Sequence, residues 1–240
     1  MGRNAETAAS LPCQAEPVRA AWEPSVGYSA SYATVTGDDT RTLFGQVMWL
    51  VALAAGCFAL GCYAGRDLSA GWSIAWFIVG FGCLIALNFV RSSSGASIAL
   101  LMAVGLFLGL GMGPVVAYYT TTSPRAVWQA AGATALFMAG CGAFGYATRR
   151  DLSAVGRISF FALLALIVFG IILIFVHIPA ANLIYSILGL VIFAGLTMFD
   201  FQRLRRSKGL ASAPLIAASI FLDALNVFLF FLRIFSGGRD

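Results

Sequence analysis

Two consecutive segments near the C-terminus decide the fold: YSILGLVIFAGLTMFDFQRLRR at 185–206 and PLIAASIFLDALNVFLFFLRIF at 214–235. Each is an apolar run long enough to cross a bilayer as a helix, which takes about 20 residues. Each also contains one aspartate, Asp200 in the first segment and Asp223 in the second. Because a carboxylate in hydrocarbon costs roughly 2.5–3.5 kcal/mol on insertion scales, aspartates embedded in such helices indicate a functional site.

The rest of the chain has the composition of a membrane protein. Of its 240 residues, 60% are hydrophobic and 10% are charged, against about 25% charged in an average soluble domain. The loops between the apolar runs are short, so sequential helices should be antiparallel neighbours in one bundle over residues 44–236. The fold class that we predict is therefore an all-α membrane protein with seven spans, at about 44–64, 72–91, 96–119, 126–147, 157–176, 181–203 and 213–234.

The segment before the first span, residues 1–43, is polar and contains half of the ten acidic residues. This composition predicts a disordered tail. The net charge of +5 could suggest a nucleic-acid partner. The basic residues, however, occur in ones, twos and threes at the ends of spans, so we expect the lipid bilayer as partner and no nucleic acid.

The distribution of cations between the loops predicts the orientation. Even-numbered loops carry eight cations and odd-numbered loops carry two, which by the positive-inside rule places the N-terminus in the cytoplasm. Seven spans then put the C-terminus on the far side, although Arg233 and Arg239 near that end leave open a six-span form with a re-entrant last segment. The eight cations are Arg91, Arg149, Arg150, Arg157, Arg203, Arg205, Arg206 and Lys208, and the two are Arg66 and Arg125.

The two aspartates are predicted to lie at similar depth in neighbouring antiparallel helices. At 1.5 Å per residue, Asp200 lies about 10 Å inside the end of its span near Ser207. By the same rise, Asp223 lies about 13 Å inside a span that begins near Pro214. The carboxyl groups could therefore meet inside the bundle.

Two carboxylates in contact at low dielectric cannot both ionise cheaply, so the pair should share one proton and respond to pH. With both groups ionised, Asp200 and Asp223 could hold Ca²⁺, which takes 6–8 oxygen ligands and would need further oxygens. Asn226, one turn after Asp223, could supply one of them. In the alternative interpretation the pair is only structural, and Asp200 reaches the cytoplasmic interface to pair with Arg203.

The same residues resemble a known family. GLTMFDFQRL at 195–204 and SIFLDALNVFLFFLR at 219–233 are similar to the paired signature of the transmembrane Bax inhibitor motif family, bacterial branch, as are GLGMGPVVAYY at 109–119 and YATRRDLSAVG at 146–156. The resemblance implies a bundle with the C-terminal helix at its centre and a pH-sensitive calcium leak gated by Asp200 and Asp223. It also implies a latch arginine at the position of Arg91. Phe199 stands where the family pattern usually has tyrosine.

Several functions remain open at this point. The first is a calcium leak channel of a bacterial inner membrane, with no resident cofactor and with Ca²⁺ as the transported or transiently bound ion. The second is a membrane regulatory protein that engages a membrane-protein partner, such as a protease, through the polar tail. An intramembrane aspartyl protease ranks last, since FLDALN lacks the flanking glycines that such enzymes have. We therefore expect that this protein is not an enzyme. A proton-coupled transporter lacks support from an inverted repeat.

Overall fold

The computed structural model describes residues 37–90, 94–175, 181–207 and 212–237. In these ranges the chain forms seven α-helices and no strand. The helices are α1 (Gly37–Ala64), α2 (Ala70–Phe89), α3 (Ser94–Thr122), α4 (Pro124–Ala147), α5 (Ser153–Phe175), α6 (Ala181–Arg206) and α7 (Ala213–Phe235).

All seven helices are long and apolar enough to cross a membrane, which confirms the predicted fold class. The largest difference from the predicted spans is at the start of α1, which begins at Gly37 rather than at residue 44. A helix can continue beyond the hydrocarbon because its backbone hydrogen bonds stay within the segment whatever the solvent. α7 is one unbroken helix of 23 residues that is long and apolar enough to cross a membrane, as the seven-span prediction requires.

Glycines bring α1 and α3 into close contact along their length. A Cβ atom added at Gly105 would collide with the Ala54 carbonyl oxygen, and one at Gly109 would collide with that of Phe58. A Cβ at Gly61 would likewise collide with the backbone of Leu106. Small residues in membrane helices permit this close approach of two backbones. Gly105 and Gly109 of α3 therefore have a packing role.

The other half of the bundle is built around contacts of α7 with α4, α6 and α1. α7 also touches α2 and α3, and 56% of its most hydrophobic window is buried, against 17–33% for the other helices. The largest buried cluster joins residues of α1, α2, α3, α6 and α7. Thr197, Asp200 and Gln202 of α6 and Asp223 of α7 are polar residues that are buried in this bundle.

Candidate acidic site between the last two helices

Asp200 and Asp223 are both buried inside the bundle. Their exposed fractions are 8% and 5%, on helices α6 and α7, which pack against each other. The Thr197 side chain, one turn before Asp200 on α6, contacts Asp223 of α7, which places both carboxyl groups at the interface between these two helices. The two predicted aspartates are thus brought together in the described residues. Each lies within a membrane-spanning helix and away from the ends of that helix.

Thr197 supports this pair from one turn before Asp200 on α6. Its side chain is fully buried, and its hydroxyl donates a long hydrogen bond of 3.3 Å to Oδ2 of Asp223. The same hydroxyl lies 3.8 Å from the Sδ atom of Met138 on α4. Thr197 therefore lies between the acidic pair and the neighbouring helix α4. Its single hydroxyl proton can be donated to only one of these two acceptors at a time. The sequence analysis missed this residue, although its position three residues before Asp200 places it on the same helix face.

The end of α6 beyond Asp200 is fastened to the loop between α4 and α5. Gln202 is 1% exposed; its Nε2 donates to the Arg150 carbonyl at 2.6 Å and its Oε1 accepts from the Leu152 amide at 2.9 Å. Arg205 donates to the carbonyls of Tyr146 and Thr148, each at 2.6 Å. We call Gln202 and Arg205 the α6 clamp. It attaches the end of the helix that carries Asp200 to this loop. Gln202 had no predicted role, and Arg205 was counted only as a loop cation.

An exposed ion pair completes the attachment of this loop. Arg206 donates to Oδ1 of Asp151 at 2.9 Å. Asp151 also accepts hydrogen bonds from the hydroxyl and the backbone amide of Ser153, at 2.7 and 3.0 Å. The Ser153 groups and Arg206 together hold the pKa of Asp151 below its usual range.

The other predicted site residues lie apart from the pair. Arg203 is exposed, while Asp200 is buried and only attracted by Arg203 electrostatically. Asn226 donates to the Leu222 carbonyl at 2.8 Å and lines a separate cavity of about 250 Å³ together with Tyr185 and Arg233. Arg91 lies outside the described residues.

The described residues contain no cluster of three or more His, Cys, Asp or Glu side chains that could hold a metal ion. Asp200, Asp223 and Thr197 offer carboxylate and hydroxyl oxygens, which suit a hard cation such as Ca²⁺ in kind. Full coordination of Ca²⁺ takes 6–8 oxygens. A cation at this position would therefore have to retain water or take backbone oxygens.

The fold and the site together define an integral membrane protein of seven helices with a buried acidic pair between its last two helices. The family model described as "Inhibitor of apoptosis-promoting Bax1" matches residues 40–240. The chain therefore belongs to the Bax inhibitor-1 family, as its sequence resemblance predicted.

Bacterial relatives are similar over different shares of the chain. The inner membrane protein YbhL of Escherichia coli is 26% identical over 229 residues, which cover 90% of this chain and 95% of YbhL. An uncharacterized protein of Deinococcus radiodurans is 34% identical over 170 residues, 65% of this chain and 72% of that protein. An uncharacterized protein of Caulobacter vibrioides is 31% identical over 151 residues, which is 59% of each chain.

Proposed function

We propose that this protein is a pH-sensitive calcium leak channel in which Asp200 and Asp223 control passage of the ion. The observation that carries the proposal is the burial of two carboxyl groups on adjacent membrane helices within electrostatic range of each other. A buried carboxylate pair attracts either a proton or a cation, because both reduce the repulsion between the two negative charges. Competition between H⁺ and Ca²⁺ for one site gives a flux that depends on pH.

The proposal assigns the pair to conduction rather than to hydrolysis, so no enzymatic activity is expected. It places the protein in a bacterial inner membrane, in keeping with the name of YbhL, and puts the N-terminus in the cytoplasm because the even-numbered loops hold most of the loop cations. Asp200 then lies nearer the cytoplasmic end of α6. Arg91 stays a predicted latch for this end of the pathway.

Calcium flux into liposomes tests the proposal directly. Purified full-length protein is reconstituted with an internal calcium indicator, and the initial rate is measured across a pH series for wild type, Asp200→Asn and Asp223→Asn. Either substitution should change the pH dependence of the calcium flux, since only one ionisable carboxyl group of the pair would remain. Asp67→Asn is the matched control, because Asp67 is exposed in the loop after α1 and should keep the wild-type profile.

The result that contradicts the mechanism is a pH profile of Asp200→Asn and Asp223→Asn that superimposes on the wild type. Absence of any calcium flux above that of protein-free liposomes would contradict the channel function itself. In that case a regulatory interaction protein would be the better assignment.

A further inference from the structure

An apolar cavity of about 500 Å³ lies between α1 and α4. Its floor is formed by Phe201 of α6 and by Ile220 and Ala224 of α7. Met48 and Met138 line it from the two sides. The volume falls within the range of roughly 300–1,000 Å³ that is typical of ligand pockets. We call this space the α1–α4 cavity.

The α1–α4 cavity opens sideways toward the membrane. Ala139 and Ala143 of α4 line it and are exposed, so the cavity is open along this helix. At one end the ring of Phe44 meets that of Tyr146 edge to face, with centroids 5.3 Å apart. Aromatic rings of this kind are typical of the membrane–water interface. The cavity therefore begins at the interface and extends from there into the hydrocarbon layer.

Water is a poor occupant of this space. A buried water needs two to four polar partners, whereas the lining is almost entirely hydrocarbon and thioether. An apolar recess that opens into a bilayer is within reach of lipid chains, which fill it without loss of hydrogen bonds.

The charge at the interfacial end indicates which lipid. Arg149 and Arg150 come three and four residues after Tyr146 in the sequence, just beyond the end of α4, and both are exposed. The nearest acid along the chain, Asp151, is already paired with Arg206. Exposed cations near a membrane surface attract anionic headgroups by about 1 kcal/mol each. This end of the cavity is therefore complementary to a phosphate-bearing headgroup with net negative charge.

We propose that the α1–α4 cavity holds one acyl chain of an anionic phospholipid from the surrounding leaflet, with the headgroup bound by Arg149 and Arg150. The bound chain lies against Phe201 and Ala224, the residues that directly follow the two aspartates in the sequence. It also contacts Met138, whose sulfur is within reach of the Thr197 hydroxyl. The lipid site does not depend on the proposed channel function, because binding can be measured without any flux.

Native mass spectrometry of the detergent-purified full chain tests the proposal, with phosphatidylglycerol and phosphatidylethanolamine of identical acyl chains as probes. Wild type should retain one phosphatidylglycerol in preference to phosphatidylethanolamine. Ala143→Trp fills the cavity from its open side and should abolish this preferential binding. The matched control is Ala131→Trp, which is on the same helix, also exposed, and does not line the cavity.

The headgroup contact is tested separately. The double substitution Arg149→Gln with Arg150→Gln should reduce the preference for phosphatidylglycerol about tenfold or more, since two surface cations together contribute about that much. Arg66→Gln with Arg125→Gln removes the same charge from the odd-numbered loops and should leave the preference unchanged. Inorganic phosphate should not displace the lipid, because it offers no acyl chain.

A photoreactive group near the end of the phosphatidylglycerol chain locates the site in the wild-type protein and needs no variant to fold. Crosslinks should concentrate on the peptides that contain Met48 and Met138. Crosslinks spread evenly over the outer faces of all helices would overturn the proposal. So would capture of a second protein copy at the cavity, or equal lipid retention by Ala143→Trp and Ala131→Trp.

Discussion

Replacing Gln202 by leucine isolates the attachment of α6 to the loop between α4 and α5. The substitution keeps a side chain of similar size in a position that is 1% exposed. It removes the acceptor of the Leu152 amide and the donor to the Arg150 carbonyl. Arg150 is exposed, so water can replace the lost donor. Leu152 is buried, so its N–H group is left without a partner.

The magnitude follows from that asymmetry. A buried donor without an acceptor costs about 1–3 kcal/mol, whereas a carbonyl that regains water costs little. Hydrogen exchange requires the Leu152 amide to open to solvent, and the substitution lowers the free energy needed for this opening by the same amount. With a factor of ten for each 1.4 kcal/mol, hydrogen exchange at Leu152 should accelerate roughly 5- to 150-fold.

Hydrogen–deuterium exchange measured on a peptide spanning residues 148–156 provides the assay, in the same detergent for all variants. Gln129→Leu is the control, because Gln129 is exposed on α4 and exposed substitutions usually change stability by less than about 0.5 kcal/mol. It should leave exchange at Leu152 unchanged. If Gln202→Leu exchanges at the wild-type rate in this peptide, the clamp does not hold the loop and the reasoning fails.

Two further predictions concern stability. The folded-state pKa of Asp151 lies below its usual range because of Ser153 and Arg206. The ionised Asp151 side chain therefore stabilises the fold at any pH above the usual pKa of about 3.9, and this contribution is lost as the pH falls through the folded-state pKa. Asp151→Asn should therefore remove part of the acid-side decline of the unfolding temperature, and a curve parallel to wild type below about pH 4 would contradict this. Gly109→Ala should destabilise by about 1–3 kcal/mol, since its Cβ would collide with the Phe58 carbonyl. Gly82→Ala in α2, where nothing lies within 4 Å, should instead stabilise by up to about 1 kcal/mol in thermal unfolding.

The helices were predictable from the sequence because a membrane span is defined by a long apolar run, and short loops leave little freedom in how neighbours pair. The adjacency of Asp200 and Asp223 followed from the same two facts, since equal depth in antiparallel neighbours brings residues together. The start of α1 was less predictable. Its first residues are polar, and hydropathy does not distinguish a polar helical turn from the preceding tail.

The supporting residues could not be predicted in the same way. Gln202 lies among arginines in FQRLRR, a pattern that indicates an exposed helix end, and its burial depends on the position of the α4–α5 loop. Asn226 was expected beside Asp223 because it is one turn away on α7. It instead lines the cavity next to Tyr185 and Arg233, because a helix surrounded by neighbours presents adjacent positions to different partners. Spacing along one helix does not determine which partner that is.

The acidic pair also constrains what must accompany it. Each ionised aspartate in the hydrocarbon layer costs roughly 2.5–3.5 kcal/mol on insertion scales. A hydrogen bond to a charged group contributes about 1.5–3 kcal/mol. Among the described residues Thr197 donates one such bond, and its contact with Asp223 is long at 3.3 Å. One hydroxyl cannot offset two negative charges that also repel each other. Because the Arg203 side chain is exposed, the channel function proposed above assigns the remaining compensation to a proton or a transported cation between α6 and α7.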